Sequence, residues 1–438
     1  MVDIYNLKVK TRSILIFFFL RIVYFPIIIF LIFISLFKKI RISTVREFLG
    51  NNNWLDLYIR DKSNRKSCNS WDFFYYEKLH LKKDFKKINF TFYNLLSREI
   101  SLIPLEKKLT FLLFNNLKKF LVKAVYLYNI KQLMIRPLTG VYPKNRTEIS
   151  NFYTDKTEKL IQISNKPVIN IHGEDLKKLE EKFNYFNELN KEKKDLIVFV
   201  NRDPAYKKKQ ILNYSMEHNS FRDFSFSDYF KTLDYAKKKY FLFRGGDIVE
   251  KTYYADKNFV EYASSKNVCS ENDIYSILKC KFFVGTLSGL DKIAHFFFKP
   301  MLLVNIGHLP CLKTWGNKTI FIPKKFYDTK KNKFITFKQL FDLNLLNSKK
   351  TGLPVGLYTT TNDFKENNIE VISNTPDEIF NAFTEMELFI EKKLIMSKED
   401  KELQEKFWKL YPSRALSNKM IISPNFLRKN LTLLDYNI

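Results

Sequence analysis

Four short segments combine residue types that together can hold and turn over a phosphorylated ligand. They are Asn201-Arg202-Asp203, Arg244-Gly245-Gly246-Asp247, Gly285-Thr286-Leu287-Ser288-Gly289 and Asn305, each directly after an apolar run. Two guanidinium groups, Arg202 and Arg244, suit a diphosphate because each presents a planar fork of donors. Glycines let backbone approach a ligand closely. Ser288-Gly289 opens a predicted helix, where free N–H groups and the helix dipole favour an anion. Asp203 or Asp247 can take a proton from an attacking hydroxyl, and the arginines can neutralise a departing diphosphate. The spacing does not choose between the two carboxylates.

Other chemistries lack their signatures. The chain has no GxxxxGK[ST], no GxGxxG and no HExxH. Its five histidines are dispersed, and its four cysteines, Cys68, Cys269, Cys280 and Cys311, show no CxxC spacing. A disulfide scaffold or zinc ribbon is therefore not expected, nor a metal or cofactor. No D-x-D occurs either, so a diphosphate would be gripped by cationic side chains and not through a divalent ion.

The elements that must position these groups can be read from the apolar pattern. Leu196–Val200, Tyr240–Phe243, Cys280–Val284 and Pro300–Val304 read as buried strands. Ser227–Lys239, Ser270–Lys279 and Leu290–Phe298 read as the helices between them. This alternation predicts a parallel sheet with helices on both faces, whose ligands lie beyond the carboxyl ends of the strands. Ser270 with Asp273 suggests a capping box, and Thr375-Pro376-Asp377-Glu378 a second capped start. Thr319–Ile322 and Ile369–Ile372 read as further strands, Glu174–Leu189 as an inter-domain helix, and Ser397–Leu410 as a late amphipathic helix.

At 438 residues the chain is long enough for two or three domains. We divide it into 1–42, a membrane anchor with basic flanks; 43–190, an α/β domain; 191–395, the domain with the strand-end residues; and 396–438, a helical extension. Lys and Arg number 74 against 46 Asp and Glu, a net charge of +28. AT-rich coding bias accounts for part of that excess, and an anionic membrane suits the remainder. No nucleic-acid-binding motif accompanies the charge. Ile14–Phe37 is apolar apart from Arg21, with lysines and arginines on either side and no cleavage site after it. This reads as a spanning or re-entrant anchor.

The stretch from Phe199 to Asn305 resembles a family of bacterial glycosyltransferases found with surface-polysaccharide genes. The matching pieces are Arg202-Asp203 with Tyr206, Phe221-Arg222-Asp223 before Tyr229, Arg244-x-Gly246, Cys280–Gly285, Ser288-Gly289 and Lys299-Pro300 leading to Asn305. The likeness extends weakly upstream, over Asn94–Pro104 and Gly173–Leu189, and downstream it includes Thr375–Ile379 with Glu385-Met386 and Ser397–Phe407. Asn201 and Gly245 depart from the family pattern. The resemblance implies a GT-B-like fold, with two Rossmann-like doubly wound domains and the nucleotide-sugar in the C-terminal one. It implies a metal-independent hexosyl- or deoxyhexosyltransferase at the cytoplasmic side of a bacterial inner membrane, using a glycan or lipid-linked acceptor. On that reading, donor-binding residues are Arg202, Arg222, Arg244, Gly245, Gly246, Gly285, Thr286, Ser288, Gly289 and Asn305, with Glu385 on the donor ribose. A catalytically inactive scaffold of a glycan-assembly complex is the alternative.

Overall fold

The computed structural model describes residues 39–46, 70–77, 142–144, 171–210, 220–309, 312, 318–342, 360–411 and 420–434. The apolar run Ile14–Phe37 lies outside them. No helix among the described residues is long and apolar enough to cross a membrane. The chain divides into two compact units.

The first unit contains β1 (Lys39–Arg46), β2 (Ser70–Glu77) and β3 (Tyr142–Lys144), which form a sheet of order β2-β1-β3. Both pairings are parallel, with Arg41 opposite Asp72 on one side and Tyr142 on the other.

The second unit is built on seven parallel strands. They are β4 (Leu196–Phe199), β5 (Phe241–Arg244), β6 (Phe259–Val260), β7 (Phe282–Gly285), β8 (Met301–Ile306), β9 (Thr319–Pro323) and β13 (Met420–Ile422). Their order is β13-β9-β8-β7-β4-β5-β6. Winding runs outward from β4 through β5 to β6, then reverses from β7 through β8 to β9. That reversal is the doubly wound pattern, with a switch point between β4 and β7. Strands β5, β7 and β8 are buried along their whole length, as two-sided coverage by helices requires.

Helix α1 (Gly173–Leu189), read above as an inter-domain helix, packs on this sheet. Its Phe183 ring lies 5.4 Å from Phe243 and 5.0 Å from Tyr275, and Phe186 lies 5.4 Å from Tyr262. Burying each ring contributes about 1.5–3 kcal/mol. Among the described residues the other α-helices are α2 (Pro204–Gln210), α3 (Phe230–Ala236), α4 (Ser270–Lys279), α5 (Leu290–Phe296), α6 (Thr361–Glu366), α7 (Pro376–Ile390), α8 (Lys398–Leu410) and α9 (Pro424–Lys429).

Local signals account for several of these ends. Helix α7 starts at the expected Thr375 cap, which forms a full box: Thr375 and Glu378 each accept the other's backbone N–H. Ser397 and Asp400 do the same for α8. Helix α4 differs from expectation: its cap is Cys269, without a side-chain bond, and Asp273 turns elsewhere. The extension is not only helical, because β13 joins the sheet edge beside β9. Ile369–Ile372 is a strand, β12, but it belongs to a small antiparallel sheet. That sheet has order β11-β10-β12, with β10 at Lys325–Asp328 and β11 at Lys333–Phe334.

Candidate functional site

The switch point opens between the ends of β4 and β7. Val200 N–H donates to Val284 O at 2.9 Å, holding the two strand ends together. A Cβ at Gly285 would stand 2.5 Å from Phe283 Cε1 and 3.3 Å from the Val200 carbonyl, so only glycine fits. Thr286 Oγ1 donates to Asn305 O at 3.3 Å. Asn305 sits in the left-handed region (φ 53°) and is fully buried. It exchanges two bonds with Asn374, of 2.6 and 2.7 Å, and Asn374 also donates to Pro323 O. Thr286 and Asn305 therefore brace the ends of β7, β8 and β9 against the turn before α7.

Residues 220–229 cross the carboxyl edge and collect its cations. Arg202 Nε donates to Asp223 Oδ1 at 2.7 Å, and Lys324 Nζ donates to Asp223 O at 2.6 Å. Arg222 Nη2 donates to Leu287 O at 2.7 Å. Asn201 donates to Phe224 O, and Tyr229 OH donates to Val200 O. Side chains from after β4 and β9 thus meet this segment between them. The terminal nitrogens of Arg202 have no partner among the described residues, and its side chain is 11% exposed.

The local field is positive. Burial pushes the Lys324 ammonium down to about 8; Asp223 and Asp228 oppose that shift and Arg202 adds to it. Burial holds His308 well below its ordinary value, with Arg222 and Arg202 adding to the effect. His308 is therefore neutral, and its buried Nε2 has no hydrogen-bond partner among the described residues. Sequence reading missed both Lys324 and His308. Lys324 directly follows β9, which is the available signal, but a lone lysine carries little contrast in a lysine-rich chain.

Arg244 is placed differently from expectation. It is 1% exposed, lies 2.9 Å from both Glu261 Oε2 and Lys251 O, and reaches Asn201 Oδ1 at 3.5 Å. Its guanidinium lies 4.1 Å from the Phe226 ring centre and 5.1 Å from that of Tyr253. The carboxylate and the two rings bury this arginine, and its Nε has no hydrogen-bond partner among the described residues, so solvent does not reach the fork in this placement. At the neighbouring Gly245, a Cβ would stand 3.2 Å from Val198 Cγ1, so its glycine leaves room for the sheet's own side chains.

The expected anion place at Ser288-Gly289 is filled by the chain itself. Asp291 Oδ1 accepts the Ser288 N–H at 2.7 Å, ahead of the short α5, whose cap is Gly289. Ser288 Oγ is buried without a partner among the described residues. Glu385 accepts from the Ser423 hydroxyl and from Asn425 N–H at 2.8 Å. It ties α7 to the start of α9, and a ribose contact does not fit that placement.

The two candidate bases separate clearly. Asp203 accepts Ala205 N–H at 2.9 Å and Glu250 N–H at 3.0 Å, one on each oxygen. It starts α2 and holds the loop after β5. Asp247 lies beside Asp273, which accepts Gly246 N–H at 3.0 Å. Gly246 adopts φ 123°, which directs that N–H at the carboxylate. Burial, opposed by this bond and assisted by the Asp247 charge, lifts Asp273 to about 7. A carboxyl group titrating near neutrality can serve as a proton acceptor at working pH.

No protein-family model matches the chain, and no curated protein matches it. Among solved structures it is similar to the glycosyl transferase family 9 protein of Veillonella parvula, at 11% identity and a TM-score of 0.39. That match covers 81% of this chain and 97% of the other. It is also similar to ADP-heptose LPS heptosyltransferase II of E. coli, at 12% identity and a TM-score of 0.42, covering 81% of this chain and 99% of that one. Among the described residues, no cluster of three His, Cys, Asp or Glu could hold a metal ion.

Proposed function

We propose that the chain is a GT-B-like glycosyltransferase whose second unit holds a nucleotide-sugar donor at the carboxyl edge of its parallel sheet. One observation carries the reading: a single segment gathers Arg202, Arg222 and Lys324 at the edge where a doubly wound sheet takes its ligand. In this mechanism Arg202 and Lys324 take up the charge that develops on the leaving diphosphate. The Asp247–Asp273 pair accepts the proton of the acceptor hydroxyl. The acceptor oxygen forms the new bond to the anomeric carbon as the bond from that carbon to the diphosphate oxygen breaks. No step calls for a metal ion. Ile14–Phe37 anchors the enzyme at the cytoplasmic face of a bacterial inner membrane, where it meets a glycan or lipid-linked acceptor.

A thermal-shift screen against UDP-, GDP-, CMP- and dTDP-sugars tests donor binding. A donor at about 100 times its dissociation constant adds roughly 2.7 kcal/mol to stability. Absence of a shift with every donor sinks the reading. A second reading, a transferase-like binding protein, is favoured by the internal engagement of Arg244, Asp203 and Glu385. It predicts donor binding with neither transfer nor hydrolysis.

A further inference from the structure

The amino edge of the same sheet has its own pattern. Each strand from β4 to β9 is preceded, within two residues, by a lysine: Lys194, Lys239, Lys257, Lys281, Lys299 and Lys318. Carboxylates answer only some of them. Glu192 is shared by Lys194 at 2.8 Å and Lys257 at 3.3 Å, Asp195 takes Lys281 at 2.7 Å, and Glu387 takes Lys239 at 3.3 Å. Lys191, Lys193 and Lys238 are exposed on the same edge and make no ion pair among the described residues. A hydrogen bond from Lys393, with smaller contributions from the charges of Lys281 and Lys239, holds Glu391 below its ordinary value.

Apolar side chains protrude among these lysines. Leu189 ends α1 two residues before Lys191 and is 41% exposed. Leu388, next to Glu387, is 42% exposed. The backbone of Lys393 and Leu394 folds back onto Leu388 O, and Ile395 follows at 90% exposed. Lys239 and Lys281 lie over the Tyr235 and Tyr240 rings, at 4.4 and 5.3 Å. Cationic heads on flexible stems around exposed leucine and isoleucine suit a lipid surface, where the ammonium groups meet headgroups and the apolar tips enter the boundary.

We propose that the amino edge of the seven-stranded sheet docks on an anionic lipid bilayer, with Ile395 and Leu388 at the contact. The partner rests on the membrane reading above; the choice of face does not. The strand ends carrying Arg202 and Lys324 then point away from the bilayer, and a soluble nucleotide reaches them from solvent.

The test uses the full chain with Ile395→Cys carrying an environment-sensitive dye, and the unsubstituted chain labelled in parallel as background. Vesicles of phosphatidylcholine alone are compared with vesicles containing about one third phosphatidylglycerol, with flotation recorded on the same samples. A blue shift is expected only on the anionic vesicles. It should vanish at about 0.5 M salt, where charges are screened within a few ångströms. It should also vanish in the variant Lys191→Glu/Lys193→Glu/Lys238→Glu, which should keep the parent's melting temperature. Flotation without a shift leaves the anchor standing and overturns the docking face. An equal shift on neutral vesicles overturns the role of the lysines. A shift with duplex DNA but not with vesicles overturns the bilayer as partner. Failure to float on either vesicle, together with no shift, removes both the face and the anchor.

Discussion

The two edges of one sheet carry the same sign of charge in different physical states. At the carboxyl edge, Lys324 is 3% exposed and Arg202 is held at 2.7 Å by Asp223. At the amino edge, Lys257 is 79% exposed. Few cations in a place poor in water act strongly on a ligand that reaches them, because little solvent screens them. Many cations in water act weakly one by one and together set up a field that salt removes. Position in the sheet, more than residue type, decides which lysine belongs to a site and which to a surface.

That difference can be broken experimentally, and the largest effect belongs to the carboxylates. Asp273→Asn should lower turnover by about 10²–10⁴-fold with donor affinity retained. In the unchanged chain, turnover should rise with pH through about 7, where Asp273 loses its proton. The same group makes a stability prediction. Its folded value lies above the ordinary carboxylate value, so the folded state binds the extra proton between the two. Stability should therefore fall as pH rises from about 4 to 7, and Asp273→Asn should flatten that slope in a series of melts.

Arg244→Ala comes next. It leaves Glu261 buried without its cation, a loss of about 3–5 kcal/mol in stability. Donor affinity in the protein that remains folded should stay near normal. A stable variant with lost affinity would return Arg244 to the donor site. Arg202→Ala should cost about 1.5–3 kcal/mol in donor affinity, read by titration calorimetry. Lys238→Ala on the amino edge should change stability by no more than about 0.5 kcal/mol.

Strands β4, β5, β7, β8, β9 and β12 and the α7 cap were legible because each rests on a pattern within a few residues, whereas the short β6, β11 and β13 carry too few residues to show one. β4, β5, β7 and β8 are apolar runs, and Thr375 meets its partner three positions later. What sequence reading missed came from contacts across strands. Arg244 ends β5, and Glu261 follows β6 one step beyond the paired Phe243 and Val260. The chain pattern shows a polar residue after a strand but not the carboxylate that the neighbouring strand brings beside it. Asp273 has the spacing of a capping residue with Ser270, yet it bonds to Gly246, 27 positions away. Lys324 becomes distinctive only once β9 lies in the sheet and the segment around Asp223 crosses above it.

The most direct test compares the two edges with one ligand. Affinity for the tightest-binding nucleoside diphosphate should be measured by calorimetry for Lys324→Ala and Lys238→Ala in parallel, at about 0.15 M salt. Lys324→Ala should lose roughly tenfold or more, as for a charge-assisted bond, and Lys238→Ala should change within about twofold. Equal losses, or a larger loss at Lys238, would contradict a donor site at the carboxyl edge.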